Sequence, residues 1–181
     1  MEVFWQAGYE GASMTELTAA MGINSPSLYA AFGCKEQLFR EAVAYYNDTE
    51  GAAAFRALRD CATARDAIAE VLRHNAVAFT EPDRPRGCLI VLAATTATDR
   101  THAVHDHLAE WRLATEGDFC ERIERGIADG DVPPTANAAT VAAFYNTVNH
   151  GMALQARDGA DRAKLEAIAA LAIAAWPNLV G

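Results

Sequence analysis

Helix start and stop signals crowd the N-terminal region at intervals that leave room only for a run of short helices. Ser13-Met14-Thr15-Glu16 is a capping box, in which the hydroxyl takes the N3 amide while Glu16 reaches back to the Ser13 amide. The helix it opens carries Met14, Leu17, Ala20 and Met21 and stops at Gly22, a residue that accepts a left-handed C′ conformation. Only Ile23 and Asn24 separate that stop from Ser25-Pro26, read as an N-cap followed by proline at the first helical position, where its missing N–H costs nothing. A third helix runs through Phe32 to Gly33, and a fourth starts near Cys34-Lys35-Glu36 with Leu38, Phe39, Ala42 and Tyr46 on its apolar side. Ahead of them, residues 2–9 read as an amphipathic helix that stops near Gly8. Two short helices joined through a Gly-containing turn make a helix-turn-helix, whose second helix can enter a major groove while the first crosses the backbone. An ordinary pair of packed helices has the same spacing.

The rest of the chain is helical by composition. Alanine, the best helix former, supplies 40 of 181 residues, and strand formers are sparse, so an all-α fold is expected. No apolar run is long enough to span a bilayer, and the first residues lack a secretory pattern, so a cytoplasmic protein with no membrane partner is expected. Cys34, Cys61, Cys88 and Cys120 form no C-x-x-C pair and read as reduced core cysteines. The net charge of −9 argues against a nucleic-acid binder, whose footprint is normally basic. Enzyme motifs are absent: no G-x-S-x-G, no H-E-x-x-H, no glycine-rich phosphate loop. Neither catalytic residues nor a cofactor are expected.

The run Phe4-Trp5-Gln6-Ala7-Gly8-Tyr9-Glu10-Gly11-Ala12-Ser13-Met14-Thr15-Glu16-Leu17, continuing through Met21-Gly22-Ile23 to Ser27-Leu28-Tyr29-Ala30-Ala31-Phe32-Gly33-Cys34-Lys35-Glu36-Gln37-Leu38-Phe39, resembles the DNA-binding head of the TetR/AcrR family of repressors. The resemblance implies a three-helix head over residues 1–47 and a helical-bundle domain over 48–181 for effector binding and dimerisation. It implies that Ser27, Leu28, Tyr29 and Ala30 lie along the recognition helix, with Ser25 and Pro26 at its start near the DNA. Tyr29 and Lys35 would bind phosphate, and Ser13 and Thr15 would hold the opposite backbone strand. Two positions depart from the pattern: Ala31 stands where histidine is common, and Cys34 where a polar cap is usual. Residues 1–48 carry two basic against six acidic side chains, a net of −4. Family members usually carry a basic arm before the first helix, so such an arm is expected upstream of Met1.

Beyond the head, helices are read at residues 64–79, 87–97, 101–128, 136–157 and 161–176, the fourth helix continuing toward Leu58 with Gly51 as a weak point. The second, third and fourth of these carry polar residues within apolar stretches. The effector pocket is therefore sought among Thr95, His107, Asn146, Asn149 and His150, with Phe79, Cys88, Trp111, Phe144, Tyr145 and Met152 as walls. Each of those aromatics also fits a plain core. The last helix is alanine-rich, and the resemblance implies that the last two helices pair two copies into a homodimer, presenting two recognition helices to a palindromic operator. The reading is thus of a ligand-responsive repressor that releases its operator when a small apolar or aromatic effector binds. The alternative keeps the fold but responds to a metal at His102 and His105, with Asp99 and Asp106 nearby, or to oxidation of Cys34 or Cys88.

Overall fold

The computed structural model describes residues 1–95 and 101–181, and the described residues contain helices and no strand. The head is built from α1 (Glu2–Gly11), α2 (Met14–Met21), α3 (Ser25–Phe32) and α4 (Lys35–Tyr46). A π-helical turn, Asn47–Gly51, leads from α4 into α5 (Ala52–Asp60). The body continues with α6 (Ala64–Ala78), the short α7 (Leu89–Leu92), the long α8 (His102–Asp129), α9 (Ala138–Arg157), α10 (Arg162–Ala174) and a final turn, α11 (Trp176–Val180).

The caps explain most boundaries. Ser13 and Glu16 form the reciprocal box at α2, and Gly22 closes that helix in the left-handed region at φ 67°. At α3 the cap differs from the sequence expectation. Asn24 is the N-cap, its side-chain oxygen accepting from the Ser27 amide at 2.9 Å, which moves Ser25 and Pro26 one place inside the helix. Asn caps as well as Ser, and proline still removes only an amide with no helical acceptor. Cys34 does cap α4, its Sγ accepting from the Gln37 amide at 3.5 Å. Thr63, Asn137 and Asp161 cap α6, α9 and α10 in the same way.

Two hydrophobic cores result. The head core gathers Phe4, Trp5, Leu17, Leu28, Leu38 and Phe39, with Phe4 and Phe39 edge to face at 5.0 Å. It is closed by residues from far along the chain, Leu89, Ile90 and Ala93 around α7 and Val104 and Leu108 of α8. The body core packs α5, α6, α8, α9 and α10 around Ile68, Leu72, Phe119, Ile123, Tyr145 and Leu165. The helix expected over 87–97 is only four residues long. Gly87 at φ 78° lies outside it, Ala93 ends it, and residues 96–97 fall outside the described part.

Head and body are stitched by hydrogen bonds as well as by packing. Arg157 of α9 donates from Nη2 to the Trp5 carbonyl at 2.7 Å, from Nη1 to Gln6 at 3.0 Å and from Nε to Arg86 at 3.1 Å. The Trp5 indole donates to the Gly87 carbonyl at 3.1 Å, and the Gly87 amide donates to Phe79 at 3.0 Å. A Cβ on Gly87 would stand 2.5 Å from the Ala153 carbonyl oxygen and 2.6 Å from Leu92 Cδ1. Gly87→Ala is therefore expected to destabilise the protein by at least about 2 kcal/mol, from the left-handed backbone and the overpacking together. Urea unfolding checks this, and an unchanged midpoint would refute the packing account.

Candidate nucleic-acid interface and ligand cavity

α3 is held by one buried side chain. Leu28 is fully enclosed in the head core, Phe32 is half-buried, and Ser25, Pro26, Ser27, Tyr29, Ala30 and Ala31 all face solvent. Leu28 therefore cannot reach a base edge and is corrected from a DNA-facing residue to the anchor of the helix. Its neighbours form a smooth outward ridge of small side chains with the Tyr29 phenol, 48% exposed, at its edge.

The flanking helix starts carry the remaining candidates. The Ser13 hydroxyl is occupied, accepting from the Glu16 amide at 3.1 Å and donating to the Glu16 carboxylate at 2.7 Å. It caps α2, and the first-turn amides of α2 beside exposed Thr15 are the donors left open there. Lys35 opens α4 with its Nζ 4.6 Å from the centre of the Tyr9 ring. Burial lowers its pKa, and Glu10 opposes that shift. The other basic residue of the head, Arg40, is engaged by Glu36 through Nε and Nη2, both at 3.0 Å, and by the Ala103 carbonyl. Lys35 is thus the head's one cation without an ion-pair partner among the described residues.

A cavity opens behind the head. Trp5 and Tyr46 line it from the head, Asn47 and Glu50 from the π turn, Val71, Asn75 and Phe79 from α6 and its end, and Cys88, Ile90 and Val91 from the α7 region. Arg112 and Thr115 of α8 and Asn149 and His150 of α9 complete it. Its volume is about 60 Å³. Asn75 donates to Asn149 across it at 2.8 Å.

Of the pocket residues expected from sequence, Phe79, Cys88 and Asn149 line this cavity, as does His150. The others do not. Thr95 is exposed near α1, and Phe144 lies on the outer face of α9. His107 and Trp111 bond to each other along α8 at 3.2 Å. Tyr145 and Met152 are body core, the Tyr145 hydroxyl donating to the Ala172 carbonyl at 3.0 Å and its pKa raised to about 12 by burial. Asn146 donates to Glu116 instead. Several lining residues, Trp5, Tyr46, Asn75 and Arg112 among them, were not expected from the sequence, and Arg112 is the one that could have been found. A signal existed, because Arg112 shares the apolar stripe of Leu108, Thr115 and Phe119, where a charge is out of place.

Burial lowers the pKa of His150, and of His74 and His107, below the ordinary value of 6.5. As pH falls through that value, the unfolded chain binds protons that the folded chain refuses, so stability is full above it and lost below. The urea midpoint is expected to fall between about pH 7.5 and about pH 5.5, and less so in His150→Gln; an acid-insensitive midpoint would contradict the burial.

The alternative sensors fare differently. His102, His105 and Asp106 do converge, their ligand atoms within 4.8 Å of one another on the first turn of α8, while Asp99 lies outside the described residues. Asp106 already meets His105 at 3.3 Å and His102 at 3.6 Å, with His102 and Asp106 exposed. Burial raises the pKa of the Cys88 thiol, which disfavours the reactive thiolate. Cys34 is exposed but serves as the cap of α4.

An outward helix of a helix-turn-helix set on a helical body defines a DNA-binding transcription factor. Residues 1–42 match the tetR family of bacterial regulatory proteins, and residues 64–172 match the tetracyclin repressor-like C-terminal domain. The chain belongs to the TetR family of transcriptional regulators, which are DNA-binding proteins and not enzymes. It is 34% identical to the HTH-type transcriptional repressor ComR of Escherichia coli K12 over 99% of this chain and 86% of that one. BdcR, a repressor of the same organism, is 30% identical over 94% of this chain and 81% of its own length. Among solved structures, a cysteine mutant of the TetR family regulator CifR, complexed with 26-bp operator DNA, is 47% identical with a TM-score of 0.95. That likeness covers 97% of this chain and 92% of the other. No helix among the described residues is long and apolar enough to cross a membrane.

Proposed function

We propose that this chain is a cytoplasmic, homodimeric repressor whose residues 1–47 grip a palindromic operator and whose residues 48–181 bind a small apolar or aromatic effector that releases it. The observation that carries the reading is the α3 ridge, exposed on every face except that of Leu28. Ser27 and Ala30 would meet base edges, Tyr29, Lys35 and the α2 start would meet phosphates, and Ser25 and Pro26 would sit at the backbone. The operator complex of CifR supports this assignment by likeness.

Dimerisation is supported by apolar side chains left in water on the last long helices. Leu171 of α10 is 74% exposed, and Leu154 and Phe144 of α9 are exposed beside small residues such as Gly151, Ala167 and Ala174. Such a stripe suits self-pairing of two copies about a two-fold axis, which would set the recognition helices about 34–36 Å apart. The cavity suits the effector because its wall includes Trp5, which is tied both to Gly87 and to Arg157. An occupant that displaces the indole would re-aim α1 and the head, and it acts only through unequal affinity for the two arrangements. The test is release of fluorescent operator by small aromatic fragments such as toluene and indole. Release should occur with the native chain and be blocked in Ala78→Phe, because Ala78 lines the cavity at the end of α6 and a ring there fills it; equal release in both would place the effector elsewhere.

A further inference from the structure

Arg112 is the cavity's unpaired charge. Glu50, the other charged side chain on the wall, is already engaged by Arg84, whereas Arg112 meets no carboxylate among the described residues. Its one hydrogen bond among the described residues runs from Nη1 to the Ile90 carbonyl at 3.1 Å, leaving most of a five-donor fork without an acceptor there. A half-buried guanidinium in that condition is stabilised most by a planar anion that takes two donors at once. Trp5, Phe55, Phe79 and Val91 form the apolar and aromatic part of the remaining wall, beside the amides of Asn47, Asn75 and Asn149 and the imidazole of His150.

At about 60 Å³ the cavity is smaller than the roughly 150 Å³ that encloses a benzene ring, so a ring-bearing occupant has to displace wall side chains such as Trp5. A second carboxylate would find no second free cation on this wall. We propose that the effector is a small monocarboxylate, its carboxylate held by Arg112 and its ring or short chain lying against Trp5, Phe79 and Val91. This rests on the cavity being the effector site and goes further in naming the head group.

Benzoate and hexanoate are compared with benzamide and hexanamide, which share their shapes without the charge, by thermal shift and by release of fluorescent operator from the intact protein. The acids should act at concentrations lower by about tenfold or more, and Arg112→Met should abolish that preference while Arg112→Lys keeps part of it. Should Arg112→Met fail to fold, the Arg112 guanidinium nitrogen resonances of the native chain give the answer: they should shift with benzoate and not with benzamide. Equal action of acids and amides, an acid preference that survives Arg112→Met, or resonances unmoved by benzoate would overturn the proposal. So would binding of neither class. Toluene and indole then separate the two levels, because release by these neutral probes, blocked in Ala78→Phe, keeps the cavity as effector site and removes only the carboxylate.

Discussion

Leu171→Glu is expected to sediment as a monomer and to lose operator affinity by on the order of a hundredfold or more. Leu171 is the most exposed of the large hydrophobic residues, on the helix whose small side chains allow another backbone to come close. In a two-fold pair a new carboxylate at this position would be brought against its own copy or against apolar surface, and either costs more than a peripheral contact returns. The size of the loss follows from linkage of two heads. Once one half-site is held, the second binds as an intramolecular event, and that advantage is worth roughly 10²–10⁴ in affinity. Analytical ultracentrifugation and titration of labelled duplex read the two effects separately. A variant that stays dimeric would move the interface elsewhere; a monomer that binds as tightly as the native protein would remove the need for a pair.

The second large effect concerns Lys35. Most DNA-binding heads spread the phosphate contact over many cations, so the loss of one is modest. Here residues 1–48 carry a net of −4, and the head's other basic residue is committed to Glu36. Lys35→Ala should weaken binding about tenfold, to a similar degree on all sequences, and should lower the slope of log affinity against log salt by about one per head. Tyr29→Ala should act in the same sequence-blind way. Changes at Ser27 or Ala30 should instead alter which bases are preferred. An unchanged salt slope in Lys35→Ala would contradict the phosphate assignment.

What the sequence made legible was local. Capping boxes, left-handed glycines and proline positions act within a few residues, so the helix-turn-helix and the long helices of the body could be read directly. Even there Asn24 and Ser25 compete for one cap, and sequence does not decide between two good N-cap residues in a row. The rotation of a helix about its axis was less accessible. Leu28 and Tyr29 are neighbours in sequence, yet one is fully buried and the other points to water, because the head core claims a single position on α3. The cavity was read only in part for the same reason. Asn149 and His150 reach it from one turn of α9, whereas Tyr145 and Met152, close by on the same helix, are taken by the body core. Trp5 could not be assigned to the cavity from sequence because its position there depends on contact with a segment more than eighty residues away. Arg112 was the one missed residue that did signal itself.

In the proposed repressor α3 enters a major groove, and a pair of copies presents it twice. The most direct measurement is a major-groove footprint on a duplex selected by the protein from random DNA. Two equivalent protected patches are expected, related by a two-fold axis and centred about one helical turn apart or a multiple of it, each with base preferences that change in Ser27 or Ala30 variants. A single patch, or protection with no base preference at all, would contradict it.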